Sequence, residues 1–139
     1  MNSLAMDAAL RVLLVEDDAN DAELLLERLR DDGLAIEARQ VETEDDFREA
    51  LGQFEPDIVI SDLNMPMFNG YRALEILRER ARLVPFIFVS GTMGEDAAVM
   101  ALRAGAIDYL LKERLARLPS AVTRAVQEAR AALARERSE

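Results

Sequence analysis

Four short stretches of this chain carry side chains able to handle protons, metal ions or phosphoryl groups, and each closes an apolar run. Glu16-Asp17-Asp18 follows Arg11–Val15, Asp62 ends the run that begins at Asp57, Ser90 follows Pro85–Val89, and Lys112 follows Ile107–Leu111. Two carboxylates about 4 Å apart repel by roughly 4 kcal/mol at an effective dielectric of about 20, so gathering three of them calls for protons, a cation or both. The chain has no Cys and no His, which removes thiolate and imidazole ligands and the usual general base. A hard divalent cation held by oxygen suits what remains, Mg²⁺ above all. Beside such an ion Asp62 would serve as a nucleophile toward a phosphoryl group. Lys112 would neutralise charge on its oxygens and the Ser90 hydroxyl would donate to another.

Taken singly, each residue has a plainer explanation. Asp62 can cap the loop that follows it, the three acids at 16 to 18 can cap a helix, Ser90 can be a turn residue and Lys112 a surface charge. The chemistry depends on their meeting, and that depends on the elements. The stretch Asp57-Ile58-Val59-Ile60-Ser61-Asp62 is a continuous apolar run bounded by Pro56 and Pro66 with no polar alternation, the pattern of a strand covered on both faces in a parallel sheet. Asp62 then stands at the carboxyl end of a strand, where open α/β sheets hold their sites.

The remaining segments repeat this order. After the first strand, Asn20 or Asp21 can cap a helix with Ala22, Leu25, Leu26 and Leu29 on one face, stopped by Gly33. Ala35–Val41 reads as a weaker strand, and Thr43 opens a helix that turns Phe47, Ala50 and Leu51 inward. Gly70 closes the loop after Asp62 and precedes a helix burying Tyr71, Leu74 and Leu77. Pro85–Val89 is a fourth strand, Glu95–Ala104 a helix after Gly94, and Ile107–Leu111 a fifth strand. A last helix from about Pro119 to Arg135 should bury Val122, Ala125, Val126, Ala129 and Leu133. Five strands alternating with five helices make a doubly wound α/β domain, because parallel neighbours need helical crossovers. All four stretches then share one edge of the sheet. Residues 1–9 read as a mobile leader, 10–132 as the domain, and 133–139 as the end of the last helix or the start of a linker.

Composition narrows the field. At 139 residues, 50% hydrophobic and 32% charged, the chain suits one soluble domain with a proper core. Through Leu111 it holds 10 basic and 23 acidic residues, a net of −13, whereas 7 basic and 4 acidic residues from Lys112 onward give +3. An acidic body of this kind speaks against nucleic acid as a direct partner. No apolar run reaches a bilayer-spanning length and no signal peptide opens the chain, so the expectation is a cytoplasmic protein without a membrane partner. Sixteen of the 17 basic residues are Arg, which makes the single Lys, at 112, conspicuous.

The combination of Val15-Glu16-Asp17-Asp18, Asp62-Leu63-Asn64-Met65-Pro66 with Gly70, Val89-Ser90-Gly91, and Ala104-Gly105-Ala106 with Tyr109 and Lys112 resembles the CheY-like receiver domains of response regulators in two-component phosphorelay signalling. The resemblance runs from about Leu10 to Ala132 and implies the flavodoxin-like strand order 2-1-3-4-5. It further implies that Asp62 accepts phosphate from a histidine kinase or histidine phosphotransfer protein. Asp17, Asp62 and the backbone carbonyl of Asn64 would bind Mg²⁺, with Glu16 helping through water. Ser90 and Lys112 would bind the phosphoryl oxygens, and Ser90 with Tyr109 would form the switch. A downstream output domain or protein partner is expected, with a homodimer through the fourth helix, fifth strand and last helix as one option. Such a domain is no enzyme beyond catalysing its own aspartyl phosphorylation and dephosphorylation.

Two positions depart from the family. Glu113 follows Lys112 where a Pro is usual, which bears on how the lysine is aimed, and Gly91 stands where Ala is more frequent. Other classes remain to be weighed. An Mg²⁺-dependent phosphatase with an Asp nucleophile would want a second acid at position 64, which holds Asn. A docking module no longer regulated by phosphate would not need the intact acids, Ser90 and Lys112. A flavin or nucleotide carrier would want a Gly-rich cradle after the first strand, where three acids stand instead.

Overall fold

The computed structural model describes residues 9–91 and 94–138. Five strands, β1 (Leu10–Val15), β2 (Ile36–Val41), β3 (Ile58–Asp62), β4 (Phe86–Ser90) and β5 (Asp108–Leu111), form one parallel sheet in the order 2-1-3-4-5. Between and after them run α1 (Ala19–Asp31), α2 (Glu44–Gln53), α3 (Gly70–Arg80), α4 (Glu95–Arg103) and α5 (Leu118–Ser138). The two strands that read as most apolar, β3 and β4, are buried at every position and lie inside the sheet, while β2 and β5 form its partly exposed edges.

The pleat divides the core into two faces. Val12, Leu14, Ile58, Ile60, Ile87, Val89 and Leu110 pack on α1 and α5. Leu13, Val15, Val59, Phe86 and Phe88 pack on α2, α3 and α4. β1 has β2 on one side and β3 on the other, so the chain reverses its winding direction there, and a crevice opens at the carboxyl ends of β1 and β3.

Several boundaries differ from the sequence expectation for local reasons. Asp18, not Asn20 or Asp21, caps α1, because its Oδ1 accepts the backbone N–H groups of both Asn20 and Asp21, at 2.8 and 3.1 Å. Thr43 caps α2 as expected, and Gly33 ends α1 in the left-handed region at φ 92°. Ile107 falls outside β5 and is 42% exposed, since an edge strand needs only one covered face. Leu115–Arg117 forms a single 3₁₀ turn that leads into α5. The last helix begins at Leu118 and continues to Ser138. Its buried side ends at Val126, so Ala129 is only partly covered and Leu133 is exposed, contrary to the reading that both are core. Leu51 and Tyr71 are likewise only partly buried. The proposed leader falls almost wholly outside the described residues.

Gly70 fixes how α3 meets the end of β3. A β-carbon at this position would stand 2.7 Å from the Asp62 carbonyl oxygen and 2.7 Å from Cε1 of Phe88. Only a residue without a side chain lets the helix start so close beneath the strand. The buried Ser61 hydroxyl donates to the same Asp62 carbonyl at 2.8 Å, and Asn69 caps the helix through the N–H of Tyr71.

Candidate functional site

Strand alternation decides which side chains meet. Continuing the row Leu10, Val12 and Leu14 gives Glu16; Ile58 and Ile60 give Asp62; Leu110 gives Lys112. All three therefore emerge on the α1 and α5 face at the carboxyl edge of the sheet. Lys112 confirms this meeting by its contacts: its Nζ lies 2.9 Å from Oε1 of Glu16, 3.1 Å from Oδ2 of Asp62 and 2.8 Å from Oδ2 of Asp21. Its backbone N–H donates to the Ser90 carbonyl at 2.9 Å, which anchors the lysine at the strand end with Glu113 as its neighbour.

Glu16 and Asp62 are 7% and 9% exposed, so both carboxylates are largely withdrawn from water. Asp17 is exposed, and together Glu16, Asp17 and Asp62 each offer an oxygen within 4.8 Å of the others. Asn64 donates its backbone N–H to Oδ1 of Asp62 at 3.2 Å, and Asp18 donates its own to Oε2 of Glu16 at 3.3 Å. The predicted group therefore splits in two. Glu16, Asp17, Asp62 and Lys112 gather in one pocket with the Asn64 backbone beside it. Ser90 is fully buried at the end of β4, continuing the row of Phe86 and Phe88, and Tyr109 packs on that same α2, α3 and α4 face.

Residues 12–123 match the family model described as the response regulator receiver domain. The chain belongs to the response-regulator receiver family. Among its relatives, the DNA-binding transcriptional regulator NtrC of Proteus hauseri is 33% identical over 117 residues, covering 81% of this chain and 24% of the relative. The transcriptional regulatory protein PrrA of Mycobacterium leprae is 38% identical over 105 residues, covering 73% of this chain and 43% of the relative. This chain thus spans less than half the length of either. A solved response regulator domain of Thermotoga maritima CheB superposes with a TM-score of 0.70 at 26% identity, covering 86% of this chain and 98% of that one.

In this receiver the electrostatics of the pocket have identifiable causes. Burial pushes the Glu16 carboxyl from its ordinary value up to about 7; hydrogen bonds from Lys112 and the Asp18 N–H oppose the rise, and the nearby Asp62 charge adds to it. Burial alone would lower the Lys112 value, but hydrogen bonds to Asp21, Glu16 and Asp62 together hold it above the usual lysine range. Lys112 is therefore charged throughout the physiological range, and it offsets only part of the negative charge around it. An all-oxygen cluster with a remaining excess of negative charge fits a hard cation, and the acidic pocket is of the kind receiver domains generally use for Mg²⁺.

Nothing in the sequence marks Asp21 as a site residue. An acid in the first turn of a helix reads as a partner of the helix dipole, and nothing in its spacing announces a lysine 91 positions away. Among the described residues no helix is long and apolar enough to cross a membrane.

Proposed function

We propose that this receiver acts in a phosphorelay, with Asp62 accepting a phosphoryl group from a histidine kinase or histidine phosphotransfer protein. The observation that carries the reading is the 3.1 Å contact between Lys112 and Asp62 inside a pocket that also holds Glu16 and Asp17. A carboxylate oxygen of Asp62 forms the new O–P bond while the P–N bond of the donor breaks, its electron pair leaving on the imidazole. No oxidation or reduction is involved. Lys112 faces the oxygens that carry the transferred charge, and the Asn64 N–H holds the carboxylate in orientation.

Asp17, Asp62 and the Asn64 carbonyl would hold Mg²⁺, with Glu16 acting through water; the ion would neutralise phosphoryl oxygens during transfer. Ser90 and Tyr109 supply the readout in this reading. The Ser90 hydroxyl turns toward a phosphoryl oxygen and Tyr109 follows, changing the surface of α4, β5 and α5. Val99 and Met100 on α4 are 44% and 61% exposed and give that surface apolar contacts for an output partner or a second copy. The phosphate-independent docking module has no observation in its favour, and the same is true of the phosphatase. The proposed setting is the cytoplasm, and the proposed unit is residues 10–132.

The test is incubation with acetyl phosphate, with and without Mg²⁺, followed by intact-protein mass spectrometry. We expect one phosphoryl adduct in the presence of Mg²⁺ and none in Asp62→Asn. Undiminished labelling of that variant sinks the assignment.

A further inference from the structure

The third partner of Lys112 lies outside the strand ends. Asp21 sits in the first turn of α1, its backbone N–H is held by the Asp18 cap at 3.1 Å, and the helix is anchored by buried Ala22, Leu25 and Leu29. Its carboxylate is thus presented from a fixed support and remains 39% exposed, at the mouth of the pocket, while Glu16 and Asp62 form the buried floor. An ammonium group has three N–H donors, and here three carboxylates lie within reach, at 2.8, 2.9 and 3.1 Å. A small cavity of about 40 Å³ is lined by Lys112, by Glu16 and Asp21, and by the apolar Leu24, Leu25, Val89 and Leu115, so Glu16 and Asp21 supply its only carboxylates.

From this geometry we infer that Asp21 is a positioning residue for phosphoryl transfer: it is the third acceptor for Lys112, so the ammonium is shared between the mouth and the floor of the pocket and is held less tightly by Asp62. The inference rests on the phosphorelay reading. With Asp21 present, two donors stay on Asp21 and Glu16, and the third passes from Asp62 to a phosphoryl oxygen as the Asp62 charge is consumed. Without it, the ammonium has only the two floor carboxylates, and its contact with the nucleophile tightens. The maximal rate then falls, because an ammonium shared between two carboxylates is released from Asp62 less readily than one shared among three. The half-saturating donor concentration is expected to stay as it is.

The experiment measures acetyl phosphate labelling with Mg²⁺ at several donor concentrations for the wild type, Asp21→Asn, Asp21→Glu, Asp46→Asn and Asp62→Asn. Asp46 holds the same position after the Thr43 cap of α2 that Asp21 holds after Asp18, so it controls for loss of a helix-terminal acid. Asp21→Asn is expected to lower the saturating rate about tenfold with the half-saturating donor concentration unchanged. Asp21→Glu should recover most of that rate, and Asp46→Asn should match the wild type. An unchanged saturating rate overturns the inference. So does a lower half-saturating concentration alone, which would mark Asp21 as mere repulsion of an anionic donor. Equal loss in Asp46→Asn, failure of Asp21→Glu to recover, or a melting temperature depressed in Asp21→Asn alone would make the role structural and overturn it too. If the wild type takes no label, or Asp62→Asn labels equally, the phosphorelay reading fails and takes this inference with it. Normal labelling dependent on Asp62 with an indifferent Asp21 removes only the inference.

Discussion

The acids of the pocket differ in their surroundings. Glu16 is buried, and its raised pKa means that the folded state binds a proton more tightly than the unfolded chain. The stability this contributes is fully present below about pH 4.5 and is lost as pH rises through about 7. In a chelating buffer the unfolding free energy should therefore fall across that window, by on the order of 2 kcal/mol once the Lys112 contact is allowed for, and the melting temperature with it. Glu16→Gln should flatten the slope, which thermal melts at several pH values will read. Asp17 is exposed and shares the acid cluster with Glu16 and Asp62, but Lys112 pairs with Glu16, Asp21 and Asp62. Asp17→Asn should leave stability within about 0.5 kcal/mol, yet weaken Mg²⁺ binding by at least about tenfold in calorimetric titration. Glu16, Asp17, Asp62 and Lys112 are legible in the sequence because their residue types fall at the ends of apolar runs. Asp21 is not, because its partner lies across the fold and its local position already has an ordinary explanation.

Elements place these residues, and the closest fit between elements is at Gly70. Ala at this position puts a methyl group against the Asp62 carbonyl and the Phe88 ring, and neither backbone nor buried ring can retreat freely. Gly70→Ala should cost about 1–3 kcal/mol in urea unfolding, and because the strain falls on the loop that begins at Asp62 it should slow labelling as well. A second joint is Arg78, whose guanidinium donates to the carbonyls of Arg82, Val84 and Gly105 at 3.3, 2.8 and 2.9 Å, tying the loops that enter β4 and β5. Loss of the guanidinium in Arg78→Met should cost about 1–3 kcal/mol, and Arg78→Lys should recover little of it, since one ammonium cannot span the same fork of acceptors. Element types and most boundaries can be read from periodicity and turn residues. The α1 cap cannot, because Asp18, Asn20 and Asp21 are all competent there and the choice falls to Asp18 only when its carboxylate reaches two N–H groups.

At the scale of the whole chain, strand order is the feature that local pattern does not supply. β1, β3 and β4 are similar apolar runs, and their order follows from sequence only through the resemblance to the receiver family; register and shared faces fix it. Along α5 the burial of each residue bears on where the proposed unit ends. Leu118, Pro119, Val122, Ala125 and Val126 are buried, and all but the proline join the α1-side core. Beyond them Leu133 is 39% exposed, and the Arg82–Glu136 ion pair joins two groups that are 64% and 42% exposed. Such a pair contributes about 1 kcal/mol or less. A chain ending at Ala132 should therefore unfold in urea with stability reduced by less than about 1 kcal/mol and an unchanged m-value, and it should still label at Asp62. Ending the chain at Arg124 removes Ala125 and Val126 from the face that β1, β3 and β4 share with α1. That truncation should cost more than about 3 kcal/mol and abolish cooperative unfolding. If the shorter chain were as stable as the longer one, Ala125 and Val126 would contribute nothing to the core that carries Asp62, and the domain would end before them.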